Sequence, residues 1–235
     1  MTTLILATLN QHKADEIRAI LGPERRCLTL EDRNAPVVKE DAPDFAGNAS
    51  KKALSLVSYF LSQPTDEYFF QRSAPVFILA DDSGLEVDAL NGAPGVHSAR
   101  FAALDTGADG NSTDAENSAK LLRLLKHVPL EKRTARFRCV LALAPALREQ
   151  KESASPICYA DETELQIELF EGACEGRILF EPRGSSGFGY DPLFVPNGFD
   201  RTFAELGESE KNQISHRANA LKKLKQRLAA MPHSH

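Results

Sequence analysis

Four short stretches of this chain carry residues that could do chemistry together. In the first, the apolar run TLILA (3–7) turns at Thr8, Leu9 and Asn10 into a helical pattern over 11–21, with Gln11, His12 and Lys13 in its first turn. A helix N-terminus has unpaired backbone N–H groups and a partial positive charge, so it attracts phosphate. Thr8 and Asn10 add side-chain donors, and Lys13 can reach back to the same anion. A capped surface helix with a solvated lysine fits these residues too. In the second, Asp81 and Asp82 follow the apolar run VFILA (76–80), with Ser83 and Gly84 after them, while Glu40 and Asp41 lie in an earlier polar stretch. A hard cation such as Mg²⁺ takes oxygen ligands, often one or two protein carboxylates with phosphate and water completing its shell. The strand-end position expected for Asp81 and Asp82 is where α/β proteins gather their sites. A plain turn at Asp82-Ser83-Gly84 and a solvated Glu40 remain the competing description.

The third stretch is GSSGFGYDP (184–192). Its glycines let backbone approach a ligand. Phe188 and Tyr190 offer faces for stacking on a flat ring, with Gly189 between them, and Asp191 can accept hydrogen bonds from ring N–H groups. It is neither a Walker A loop nor a Rossmann turn. The fourth holds Lys211, His216 and Arg217, expected on one C-terminal helix over 208–229. The two cations could bind phosphate and His216 could hydrogen-bond a keto group, although a solvated basic face is the usual explanation of such residues.

The elements that must position these residues follow from periodicity. Buried strands are expected at 3–7, 26–30, 76–80 and 135–144, with another over 157–170. Amphipathic helices are expected over 11–21, 44–61, 113–127 and 208–229, Asn10 being a good N-cap for the first. A polar hairpin loop is expected over 148–156. This mixture is α/β, one domain of 235 residues built on a long sheet.

Composition narrows the function. A net charge of −5 argues against a general nucleic-acid binder. It leaves room for an anionic substrate, because focused lysines and a divalent cation override a mildly acidic total. No apolar run reaches the roughly 20 residues of a membrane span, and the start lacks a secretory signal pattern. Cys27, Cys139, Cys158 and Cys174 form no CxxC pair, so free thiols and a cytoplasmic location are expected. There is no GxSxG, no cysteine beside a histidine, and no HExxH, which removes nucleophilic hydrolases and zinc enzymes.

Taken in order, ATLNQHKADEI, NASKKA, LADDSGLEVDALNGAPGVHSARFA, ARFRCVLALA, GSSGFGYDPLFVP and EKNQISHRANALKKL span most of the chain. Together they resemble the inosine triphosphate pyrophosphatase family, which removes noncanonical purine nucleoside triphosphates. The resemblance implies a long mixed sheet flanked by helices, in two lobes with the nucleotide between them, and a homodimer. It implies that Thr8 to Lys13 (Thr8, Leu9, Asn10, Gln11, His12 and Lys13) hold the triphosphate with Lys52, and that Glu40 and Asp82 hold Mg²⁺, with Mn²⁺ as the alternative ion. Asp82 also serves as the base that activates water, and Ser83 touches substrate. Phe188, Gly189, Tyr190, Asp191, Lys211, His216 and Arg217 hold base, sugar and phosphates. The implied reaction cuts ITP, dITP or XTP to monophosphate and pyrophosphate. A related pyrophosphatase for other modified nucleotides and a non-catalytic nucleotide-binding regulator are the alternatives. The sequence departs from the family at Gly47, where a glutamate usually precedes Asn48, and in longer loops at 62–75, 104–113 and 146–165.

Overall fold

Three consecutive strands build one end of a six-stranded sheet. β1 (Thr3–Leu6) lies parallel to both β2 (Arg26–Leu28) and β3 (Val76–Val87). β4 (Thr134–Pro145), β5 (Glu168–Ile178) and β6 (Phe194–Pro196) then add antiparallel, giving the order β2-β1-β3-β4-β5-β6. The sheet is therefore mixed, as expected. The computed structural model describes residues 2–30, 36–62, 75–146 and 166–231. The expected hairpin at 148–156, Cys158, most of loop 62–75 and nearly all of 146–165 lie outside them. The 104–113 stretch is described, and it is an exposed surface turn.

Two elements differ from their expected bounds for physical reasons. β3 does not end at Asp81 and Asp82; it continues to Val87, paired along β4 from Phe77↔Pro145 to Val87↔Ala135. The apolar run stops at residue 80 because the strand leaves one core and crosses polar ground before Leu85 and Val87 enter another. The C-terminal helix is two helices, α5 (Glu208–Ile214) and α6 (His216–Ala229). Ser215 breaks it by taking an extended conformation and capping α6 through a hydrogen bond from the Ala218 N–H. Of the last expected strand, 157–165 lies outside the described residues; β5 takes up its end at Glu168 and runs on to Ile178.

Helices cover both faces of the sheet. α2 (Phe45–Ser62) packs Ala49, Ala53, Leu56, Val57 and Phe60 on Ile78, Ala80, Val140 and Ala142. On the other face, α1 (Gln11–Leu21) and α6 pack Ile17, Leu21, Leu221 and Leu224 on Leu4, Leu79 and Leu141. The close seating of α6 depends on Gly172, where a Cβ would come 2.1 Å from the His216 carbonyl oxygen. A third cluster, at the far end of β3 and β4, joins Leu85, Phe137, Phe194 and Phe203 to Leu121 of α3 (Asp114–Leu124). The remaining short helix, α4 (Phe203–Leu206), opens with a capping box at Thr202.

Candidate functional site

Adjacent residues of a strand point to opposite faces. Asp81 and Asp82 therefore do not form a side-by-side pair, and their surroundings differ completely. Asp82 faces α2. Its Oδ1 accepts from Lys52 Nζ at 2.8 Å and its Oδ2 from Asn48 Nδ2 at 3.2 Å. Lys52 Nζ also binds the Asp81 carbonyl at 2.8 Å and stands 3.1 Å from Glu40 Oε1. One ammonium thus sits between the carboxylates of Glu40 and Asp82. Burial pushes the Asp82 carboxyl above the usual aspartate range, with Lys52 opposing it only in part. The same two acids raise the Lys52 pKa against the effect of its own burial.

Glu40 is placed by residues outside the expected set. Asn48, fully buried, accepts the Ala42 N–H at 2.9 Å while donating to Asp82, so it ties the 40–42 loop to the strand. Arg100 donates to the Glu40 carbonyl at 2.7 Å. Both lie in the motifs NASKKA and HSARFA, yet an amide in a helix and an arginine in a turn carry no chemical signal by themselves. Gly47 is explained by space: a Cβ there would meet the Ala42 Cβ at 2.8 Å. The first turn of α2 is closed instead by Asp44, which accepts the Gly47 N–H.

Asp81 faces α1 and α6. Lys13 Nζ lies 2.7 Å from its Oδ1, Arg217 Nε 2.9 Å from its Oδ2, and Ser83 Oγ donates to Oδ1 at 3.0 Å. Burial acts to raise its pKa, but Arg217 and Lys13 together hold it well below the usual range. The Arg217 guanidinium is fully buried, bonded to Asp81, to Ser83 Oγ at 2.9 Å and to Glu16. Glu16 also pairs with Lys211 Nζ at 2.7 Å, and Lys211 pairs with Asp191 Oδ2 at 2.6 Å. A continuous chain of charges, Asp81–Arg217–Glu16–Lys211–Asp191, thus joins the strand to the glycine-rich loop. Glu16 was absent from the expected site; one acid among the charged residues of α1 reads as solvated until the fold shows it buried.

At the loop end, Asp191 accepts the Phe188 N–H at 2.9 Å. Gly187 has φ 79°, and a Cβ there would strike Asp191 Oδ2 at 2.2 Å, so only glycine permits this closure. Phe188 is partly exposed, as a stacking platform requires. Tyr190 is not such a platform: it is buried in the third core cluster, and its hydroxyl donates to the Ser98 carbonyl at 2.9 Å. The Gly189 N–H is bound by Asp114 at 2.6 Å. His216 is buried, stacked on Phe137 at 4.9 Å, with an Nδ1 that has no partner among the described residues. Burial, then Arg217 and Lys211, hold it well below the ordinary imidazole value, so it is neutral.

The opening turn has the expected cap. Asn10 accepts the Lys13 N–H at 3.1 Å, and Thr8 Oγ1 accepts the Asn10 N–H at 3.1 Å. Leu9 is exposed, and Gln11 bonds to Asp15 on the helix surface.

This is an α/β protein whose mid-sheet carboxylates are flanked by two lysines and a glycine-rich aromatic loop. The chain belongs to the Ham1 family, which it matches over residues 4–227. It is 45% identical to a dITP/XTP pyrophosphatase of Desulforamulus reducens over 222 residues, covering 94% of this chain and 92% of that protein. It is 44% identical to the dITP/XTP pyrophosphatase of Geobacillus kaustophilus, covering 95% and 93%. Among solved structures, it is similar to a HAM1 protein from Coxiella burnetii, with TM-score 0.73, 34% identity and coverage of 98% and 100%. The Staphylococcus aureus Ham1 protein gives TM-score 0.71 at 30% identity, covering 97% and 98%.

Proposed function

We propose that this protein hydrolyses ITP, dITP and XTP at the α–β phosphoanhydride, releasing the nucleoside monophosphate and pyrophosphate. The observation that carries the chemistry is the convergence of Glu40 and Asp82 on one cation, here the Lys52 ammonium. The relatives' names support the substrate class.

Two carboxylates gathered around a positive charge fit a hard divalent cation, whose remaining ligands would be phosphate and water. Glu40 and Asp82 would hold Mg²⁺, or Mn²⁺ in its place, and the ion would supply charge neutralisation and a more acidic bound water. The protein's own residues do the rest. Asp82 takes the proton of the water that attacks the α-phosphorus. Lys13 and Lys52 offset the charge on the departing pyrophosphate, with the N-terminus of α1 and Thr8 and Asn10 behind them. Ser83 is held by Asp81 and Arg217 on the α1 and α6 side of the strand.

Base selection follows from the loop and from α6. Phe188 supplies the stacking face. The neutral His216, whose buried Nδ1 has no partner among the described residues, supplies a hydrogen bond to the 6-keto group. An exocyclic amine at that position leaves a buried donor unpaired, at about 1–3 kcal/mol. Arg217 and Asp191 support this reading indirectly, one by holding Asp81 and Ser83, the other by fixing the Phe188 backbone. The nucleotide lies in the cleft between the α2 side and the third core cluster, the two lobes of a single domain over 1–235.

No helix among the described residues is long and apolar enough to cross a membrane. Cys27, Cys139 and Cys174 are free thiols, which suits the reducing cytoplasm. The assembly proposed is a homodimer, checked by light scattering against the 25.8 kDa chain mass. Pyrophosphate release from inosine, xanthosine, adenosine and guanosine triphosphates, with and without Mg²⁺, tests the function. Inosine and xanthosine triphosphates should be cut far better, and only with the ion. Equal kcat/KM for adenosine and inosine triphosphates contradicts the base reading; no pyrophosphate from any of them contradicts the chemistry.

A further inference from the structure

The ring of His12 lies on the ring of Phe188, with centroids 5.3 Å apart and planes 13° from parallel. The family resemblance groups His12 with its neighbours on the triphosphate, but the geometry separates them. Successive residues of a helix project about 100° apart. Lys13 points to Asp81, whereas His12 points to the glycine-rich loop. Phe188 is the fixed partner: its backbone is held by Asp191, and Lys211 Nζ stands 4.5 Å from its ring centroid. His12 is exposed on the first turn of α1, so its imidazole can swing without disturbing the core.

We propose that His12 and Phe188 are the two walls of the base subsite, a ring clamp that takes a purine between them. This rests on the nucleotide reading given above. A flat ring sandwiched at van der Waals contact on both faces needs the walls about 7 Å apart. Centroids 5.3 Å apart leave no room for a base, so the clamp has to open by rotation of the exposed imidazole. The clamp supplies affinity for a planar base and is indifferent to the phosphates.

The test uses the full chain with ITP as substrate and inorganic tripolyphosphate, which has no base, as competitor. His12→Ala should raise KM for ITP on the order of ten-fold, the size of one base–aromatic stack, with kcat nearly unchanged. Inhibition by tripolyphosphate should stay as in the wild type. His12→Phe should restore KM, and His12→Lys should not. An unaltered KM in His12→Ala overturns the proposal. So does weaker tripolyphosphate inhibition in step with KM and rescue by lysine, which would make His12 a phosphate ligand. If the wild type releases no pyrophosphate from ITP, the nucleotide reading fails and the clamp with it. Wild-type turnover alongside an unaffected His12→Ala enzyme overturns the clamp alone.

Discussion

Asp81 and Asp82 are neighbours in sequence and opposites in environment. Asp81 points into the layer between the sheet and α1 and α6, where Arg217, Lys13 and Ser83 all bind it. Asp82 points to the α2 side, bound by one lysine that it shares with Glu40, and by one amide. Burial acts on both carboxyls in the same direction, yet one ends below its ordinary pKa and the other above it. The number of cations on each carboxylate decides the sign. A carboxylate with two cations and a hydroxyl is a strut; one that shares a single lysine with a second acid is poised to take a metal ion or a proton.

The comparison can be broken from the strut side. Asp81→Asn leaves the Arg217 guanidinium buried with only Glu16 as acid, and should cost about 3–5 kcal/mol of stability. Urea unfolding measures it, and a loss below 1 kcal/mol would mean Asp81 is no strut. Glu16→Gln removes the acid shared by Arg217 and Lys211 and should cost about 2 kcal/mol. It should also raise KM for the nucleotide, because Lys211 and Asp191 hold the Phe188 loop; an unchanged KM would disconnect that loop from the strand.

Lys13→Ala is a smaller change, since Arg217 still serves Asp81. A stability loss of about 1 kcal/mol is expected for this partly buried pair, with a larger effect on triphosphate binding. Equal KM in mutant and wild type would leave Lys13 a structural partner only. The gentlest test is pH. His216 is neutral in the fold because its pKa is lowered, so the unfolded chain binds the extra proton first. Stability should therefore fall as pH drops below about 6.5, by at most about 1.4 kcal/mol per unit, until the folded value is reached. Melting temperatures of His216→Asn between pH 7.5 and 5.5 should show a flatter slope than wild type. An identical slope would place the proton elsewhere.

Much of this was legible in the sequence. The strand-turn-helix opening, α2, β4 and the cap at Asn10 all follow from periodicity and local chemistry. The continuation of β3 past Asp82 was not legible, because Asp-Ser-Gly has the composition of a turn and only pairing with β4 keeps it extended. The break at Ser215 was hidden because the apolar stripe continues across it. Which face each aspartate takes depends on strand register, and that is fixed by the cores on either side. Glu16, Asn48 and Arg100 were silent for a related reason: their importance lies in partners far away along the chain. Tyr190 misled in the other direction, since an aromatic beside glycines reads as a ligand face whether it stacks on a base or fills a core.

The division of labour on β3 is tested most directly by Asp82→Asn, with turnover of ITP and urea unfolding measured on the same preparation. Turnover should fall by at least about 10²–10⁴-fold, the usual worth of general-base assistance, because the proton acceptor and a metal-binding carboxylate are lost together. Stability should fall, but by less than Asp81→Asn costs: the new amide sets a donor against Lys52 or Asn48, while Lys52 keeps Glu40 and the Asp81 carbonyl as partners. Near-normal kcat in a folded Asp82→Asn protein, or unfolding as severe as that of Asp81→Asn, would contradict the account.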